Sequence, residues 1–272
     1  MSALTLELLA PPRFRLDLRD LTPTRLVGRS RREIAAIPLR LGRQPVTVGD
    51  LFRIDGEAGD ALRLLGTTAR CDFIGAELRD GDITVEGSVG AYAGVGMRGG
   101  RLRVFGDAGV YAGARLTGGE LRVEGNAGDF LGAALPGDTQ GMNGGAIIVG
   151  GHCGARAGDR QRRGLILVHG NAGDYCASRM VAGTVAVLGQ CGHQAGFFMR
   201  RGTLLLRQPP LSRPATFNDN GARTLPFVAL LSRELERFSD ALGSRPCHAT
   251  RVRRYLGDRA IGGMGEQLEL LA

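Results

Sequence analysis

The chain has no tryptophan, no lysine and only four tyrosines in 272 residues. It also lacks any run of the ~20 uninterrupted apolar residues that a membrane-spanning helix needs, so no membrane partner is expected. Without lysine, all 35 basic residues are arginine, and the net charge of +8 points to an anionic partner. A nucleic-acid reader would add a compact basic helix or base-stacking aromatics on a sheet face. Neither is evident, so nucleic acid is not expected. The first residues, MSALTLELLAPPRFRLDLRD, do not follow the basic-then-apolar order of a secretory signal. The expectation is a cytoplasmic protein with reduced cysteines.

Glycine, by contrast, is plentiful, at 44 residues. Gly87, Gly106, Gly125, Gly151, Gly170 and Gly189 are spaced 19, 19, 26, 19 and 19 residues apart. Around each, the chain repeats one unit: ITVEGSVG, LRVFGDAG, LRVEGNAG, IIVGGHCG, ILVHGNAG, VAVLGQCG. Self-similarity at a short fixed period marks a solenoid, whose units bury their apolar faces by stacking on one another.

Each unit reads as one coil. Four and two residues before the reference glycine lie paired apolar residues such as Leu102 and Val104, or Ile166 and Val168. Side chains alternate along a strand, so both face inward. Two residues after it, Val89, Ala108, Ala127, Cys153, Ala172 and Cys191 fill a small inward slot. The glycine three residues after it supplies either a positive-φ turn or a close approach between coils. Five after it runs a partial aromatic ladder of Tyr92, Tyr111, Phe130, Arg156, Tyr175 and Gln194. The period of 19 shows no hexapeptide phase, which disfavours a left-handed β-helix. The predicted fold is all-β, a single-stranded right-handed parallel β-helix of about 19 residues per rung. Residues 60–207 form the repeat. Residues 1–59 and 208–272 are non-repetitive caps, the second carrying a helix over about 226–242.

Three residues before the reference glycine, side chains point outward. Early coils place arginines there, but later ones place Ile148, Leu167, Ala186 and Leu205. Such an apolar stripe must be covered. Either the predicted helix covers it through Phe227, Leu230, Leu231, Leu235 and Phe238, or another protein docks on Ile148, Leu167 and Leu205. The fourth unit is seven residues longer, its extra segment lying within residues 131–145. That loop is either a tolerated insertion or a partner contact through Leu135, Met142 and Asn143.

No reactive constellation stands out. His152, His169, His193 and His248 show no metal-ligand spacing, and Cys153 and Cys191 occupy slots that alanine fills elsewhere. No metal site and no catalytic residue is expected. The glycines of GVGMRGGRLRVFG belong to the 19-residue phase and precede no helix, which excludes a dinucleotide loop. The arginines Arg156, Arg160, Arg162, Arg163, Arg200 and Arg201 form either an anion site or a solvated basic surface.

The units GDAGVYAGARLTGG and GNAGDFLGAALPGD resemble the glycine-rich repeat of the C-terminal β-helical domain of glutamate synthase large subunits. In length and layout the chain is more similar to the C subunits of formylmethanofuran dehydrogenase and of its relative, the formyltransferase/hydrolase complex of methylotrophic bacteria. The lysine-free composition favours the methylotroph complex. The resemblance implies a non-catalytic scaffold subunit in formaldehyde oxidation that binds no cofactor alone. Its implied partners are an amidohydrolase-like subunit holding metal, a formyltransferase subunit and one further subunit. The implied complex passes formyl groups from tetrahydromethanopterin to a methanofuran-like carrier and releases formate. That carrier's glutamate-rich tail would be an anionic partner. Two other readings stay open: a glutamate-synthase-like domain bracing an ammonia-transfer enzyme, and an independent β-helical carbohydrate enzyme.

Overall fold

A computed structural model describes residues 3–239 and 250–271. Cys247, His248 and residues 240–242 of the expected helix lie outside the described residues. The chain is mostly strand, and thirteen strands among the described residues join in one sheet.

The repeats build the middle of that sheet. Strands Glu57–Thr67, Asp82–Gly87, Arg98–Val104, Gly118–Val123, Asn143–Val149, Arg163–Val168, Thr184–Val187 and Thr203–Leu206 pair in chain order, all parallel. The register puts like on like: Val85 beside Val104, then Val123, Val149, Val168, Val187 and Leu206. Val104, Val123 and Val149 share one interior column and are fully buried. A second column follows from isolated parallel bridges linking Val89, Ala108, Ala127, Cys153, Ala172 and Cys191. The small inward slot is therefore real, and its volume limit explains why only Val, Ala and Cys occupy it.

The glycines divide into two kinds. Gly109 has no positive φ, but a Cβ there would lie 2.7 Å from the carbonyl carbon of Gly90, one coil away. Close backbone approach, not a left-handed turn, fixes that position. Left-handed backbone falls instead at the closing glycines, such as Gly100 and Gly119, and at three alternate places in every coil but the long one, where Ala134 at the third place has no positive φ. Tyr111, Gly113 and Arg115 have φ of 59°, 63° and 55°. This conformation is disfavoured for residues with a Cβ. It is held because it sends backbone N–H groups to neighbouring coils: Tyr111 donates to the Asp129 carbonyl at 2.9 Å and Gly113 to that of Ala93 at 2.8 Å. The aromatic ladder stacks accordingly, with ring centroids of Phe73, Tyr92, Tyr111 and Phe130 spaced 4.8, 5.4 and 4.7 Å apart.

Both ends of the stack are closed by non-repetitive strands. Ala3–Leu8 lies parallel to Glu57–Thr67 and antiparallel to Phe52–Asp55. At the other end Gly265–Leu270 pairs with Thr203–Leu206, then with Arg251–Gly257. These strands cover edges that would otherwise recruit other chains.

The outer apolar stripe is covered from within. Helix Pro226–Ser239 lays Val228 and Leu235 on Ile148, Leu167, Ala186 and Leu205, and Val252 and Leu268 complete the cluster. Ile148, Leu167 and Leu205 are at most 1% exposed, so they are core residues and not a partner surface. The helical face also differs from expectation. Val228, Leu231, Leu235 and Phe238 pack inward, whereas Phe227 and Leu230 are exposed.

Candidate functional site

One outer face of the stack gathers most of the singled-out residues. The third left-handed place, nine residues after the reference glycine, holds Arg115, Arg160, Arg179 and Phe198 in their respective coils. Two residues further on, successive coils carry Arg98, Thr117, Asn143, Arg162, Val181 and Arg200. Inter-coil bonds hold this second column in line: Arg162 N–H donates to Met142 and Arg200 N–H to Met180, both at 2.8 Å. Equivalent residues two coils apart lie about 10 Å apart at strand spacing. Arg162 with Arg200, and Arg163 with Arg201, are such pairs.

The long coil's loop rises from this face. Its base is fastened by Ala134 N–H to the Asp159 carbonyl at 3.3 Å and Gly141 N–H to that of Arg160 at 3.0 Å. Arg115 Nε lies 3.4 Å from Asp138 Oδ2 across its flank. Between loop and coils opens a cleft of about 680 Å³, lined by Arg98, Arg115, Thr117, Leu135, Asp138 and Asn143 among others. Leu135 and Asn143 thus face a recess. Met142 does not: it is fully buried in the core. The repeat phase resumes at Met142, which takes the inward place held by Met97, Leu116, Gln161, Met180 and Met199 in other coils, all buried. The expectation of a partner contact at Met142 is corrected on that ground.

The arginines separate into two groups. Arg156 belongs to the aromatic ladder, its guanidinium 4.7 Å from the Tyr175 ring centroid. Arg160, Arg162, Arg163, Arg200 and Arg201 form no ion pair among the described residues, while Arg179, in the same face, is spent on buried Asp159. The basic corner therefore carries positive charge with no ion-pair partner among the described residues.

Nucleophiles and metal ligands are committed elsewhere. Burial pushes the Cys153 thiol up to about 12. The Cys191 sulfur and burial raise that of Cys176 well above the ordinary thiol range. His152 Nδ1 accepts the Asn171 N–H at 2.8 Å, within a ladder in which Asp107 and Asn126 likewise accept N–H groups of the next coil. Burial lowers the His169 pKa. Among the described residues no group of three His, Cys, Asp or Glu side chains could hold a metal ion.

Sequence reasoning missed two features. Buried Asp159 and Ser178 form a polar cluster with the partly exposed Arg179, and Phe198, Ile261 and Met264 expose apolar surface beside Arg200. Phe198 was detectable as the one aromatic in an arginine column. The 257–265 loop has no repeat phase and offered no signal.

The GXGXG motif family matches residues 61–221. The Fhc C subunit of the formyltransferase/hydrolase complex of Methylorubrum extorquens is 42% identical over 76 residues, which cover 28% of this chain and 29% of that protein. The C subunit of tungsten-containing formylmethanofuran dehydrogenase 2 of Methanothermobacter marburgensis is 34% identical over 101 residues, 35% of this chain and 37% of that one. These alignments span well under half the length of the curated relatives. A chain in the crystal structure of the FhcABCD complex from Methylorubrum extorquens with methylofuran matches with a TM-score of 0.89 and 39% identity. That match covers 98% of this chain and 100% of the other.

Proposed function

This chain belongs to the GXGXG motif family and, within it, to the C subunits of formyltransferase/hydrolase complexes, and from that premise we propose that it is a rigid, non-catalytic scaffold in such an assembly. The observation that carries the proposal is the match at 39% identity over 98% of the chain to a solved chain of the FhcABCD complex. The same match favours this reading over an ammonia-transfer domain or a carbohydrate enzyme.

In this reading the parallel ladder, with 19 residues between equivalent positions, closes into a right-handed β-helix over residues 60–207. Residues 1–59 and 208–272 cap it. A rod of that kind supplies shape and adhesion, since its side chains are consumed in columns and ladders. The catalytic work lies in an amidohydrolase-like subunit with metal and in a formyltransferase subunit, and one further subunit joins them in the cytoplasm. The face with the cleft and the unpaired arginines is the surface offered to those partners. Arg160, Arg162 and Arg163 also suit the anionic tail of a methanofuran-like formyl carrier, which exchanges its formyl group with tetrahydromethanopterin elsewhere in the assembly.

Purification through a tag on this chain from its native organism, with mass-spectrometric identification of co-purifying chains, tests the proposal. The expected result is stoichiometric recovery of amidohydrolase-like and formyltransferase subunits. Recovery of glutamate synthase components, or of the chain alone, would overturn it.

A further inference from the structure

At the last coil three apolar side chains stand in water: Phe198, Ile261 and Met264 are 38%, 37% and 74% exposed. The loop carrying Ile261 and Met264 is locked to that coil by its backbone. Asp258 N–H donates to the Met199 carbonyl at 2.9 Å, and Met264 N–H donates to the Arg200 carbonyl at 2.6 Å. The carboxylate of Asp258, itself 1% exposed, accepts the Phe198 and Ala260 N–H groups at 3.0 Å each. Gly263 lies so close that a Cβ would sit 2.3 Å from the Met199 carbonyl oxygen. The patch is therefore held in place before anything binds, which lowers the ordering cost of association.

Its rim is cationic. Arg200, Arg201 and Arg259 form no ion pair among the described residues; the Arg259 guanidinium donates to the Asn218 side-chain oxygen at 3.3 Å. Of the carboxylates beside this rim, Asp258 has both oxygens engaged by backbone, and Glu266 is held by Arg254 and Thr203. Phe198 stands where Arg160 and Arg179 stand in the two preceding coils, with φ of 54° against 57° and 53°. Exposed Phe and Met beside arginines without ion-pair partners have the composition of a protein-binding hot spot.

The geometry points to a docking site for another subunit of the assembly, one presenting an apolar socket rimmed with carboxylates. This rests on the assembly reading above and names the surface that reading needs. A second copy of this chain would bring arginine against arginine, which disfavours self-pairing. A flexible polyanion would satisfy the arginines but leave the apolar centre in water.

The test is the double variant Met264→Glu/Arg200→Glu, with Phe198→Arg as a second variant that repeats the residue of neighbouring coils. Each is co-expressed with the other subunits and purified through a tag on this chain. The expected result is at least a tenfold weaker association with one subunit, with the thermal melt of the isolated chain unchanged and affinity in the wild type falling as salt rises. Variants that hold every subunit at wild-type affinity would overturn the docking site and leave the assembly reading intact. A wild-type chain that binds none of the subunits would overturn both. Self-association of the wild type that the variants abolish would assign the patch to a second copy and overturn the inference.

Discussion

Arg179 grips Asp159 with two parallel hydrogen bonds, Nε to Oδ1 at 2.8 Å and Nη2 to Oδ2 at 2.6 Å, and the Ser178 hydroxyl donates to the same carboxylate at 2.6 Å. Asp159 is almost wholly buried, and its carbonyl also accepts the Ala134 N–H at the base of the long coil's loop. Removing the guanidinium leaves a buried carboxylate with one neutral donor. Arg179→Asn, which tolerates the left-handed backbone, is expected to cost about 3 kcal/mol. That is the low end for a broken buried pair, because the Arg179 side chain is 37% exposed. Urea unfolding measures it, and a loss below about 1 kcal/mol would place the pair among ordinary surface ion pairs.

Alkaline stability follows from the buried thiols. In the unfolded chain a thiol ionises near its ordinary 9.0, whereas folded Cys153 keeps its proton up to about 12. Between those values the folded state binds the extra proton, so stability falls as pH rises, by about 1.4 kcal/mol per pH unit per thiol. Below pH 9 the thiol makes no difference. Cys153→Ala, a residue the same slot holds in three other coils, should keep neutral-pH stability near wild type and flatten the decline between pH 9 and 12. Parallel slopes in the two proteins would contradict the burial assigned to Cys153.

Coil contact predicts a contrast between two glycines. A Cβ on Gly109 would meet the carbonyl of Gly90, whereas one on Gly59 would meet nothing within 4 Å. Gly109→Ala should destabilise by about 1–3 kcal/mol through forced separation of coils. Gly59→Ala should be neutral or slightly stabilising. Chemical denaturation midpoints decide between them.

The helical cover yields a further prediction. Leu235 is 3% exposed on Ile148, Leu167 and Leu205. Leu235→Ala should cost about 2–5 kcal/mol and increase binding of a hydrophobic dye as the stripe is uncovered. Leu230→Ala, at a side chain 66% exposed, should change neither.

What the sequence made legible is what stacking repeats. Once Val104, Val123 and Val149 were placed in one phase, their shared column followed from the spacing alone, as did the small slot ending at Cys191. Phase also explains the loop, since a spacing of 26 instead of 19 can only bulge outward. Met142 was legible in principle, because the phase returns at that residue. The helix was harder. Phe227, Leu230 and Leu231 fit a helical stripe as well as Val228 does, and only the position of the stripe beneath selects between them. The left-handed places of Arg115, Arg160 and Phe198 had no signature, because inter-coil hydrogen bonds impose a conformation that glycine would ordinarily announce. The patch at Met264 joins segments about 65 residues apart, a contact no local pattern encodes.

The most direct test of the central claim is formate release from the formylated carrier, measured for the purified chain alone and for the co-purified assembly. The account predicts release by the assembly and none above background by the chain alone. Turnover by the lone chain at the rate of the assembly would contradict it.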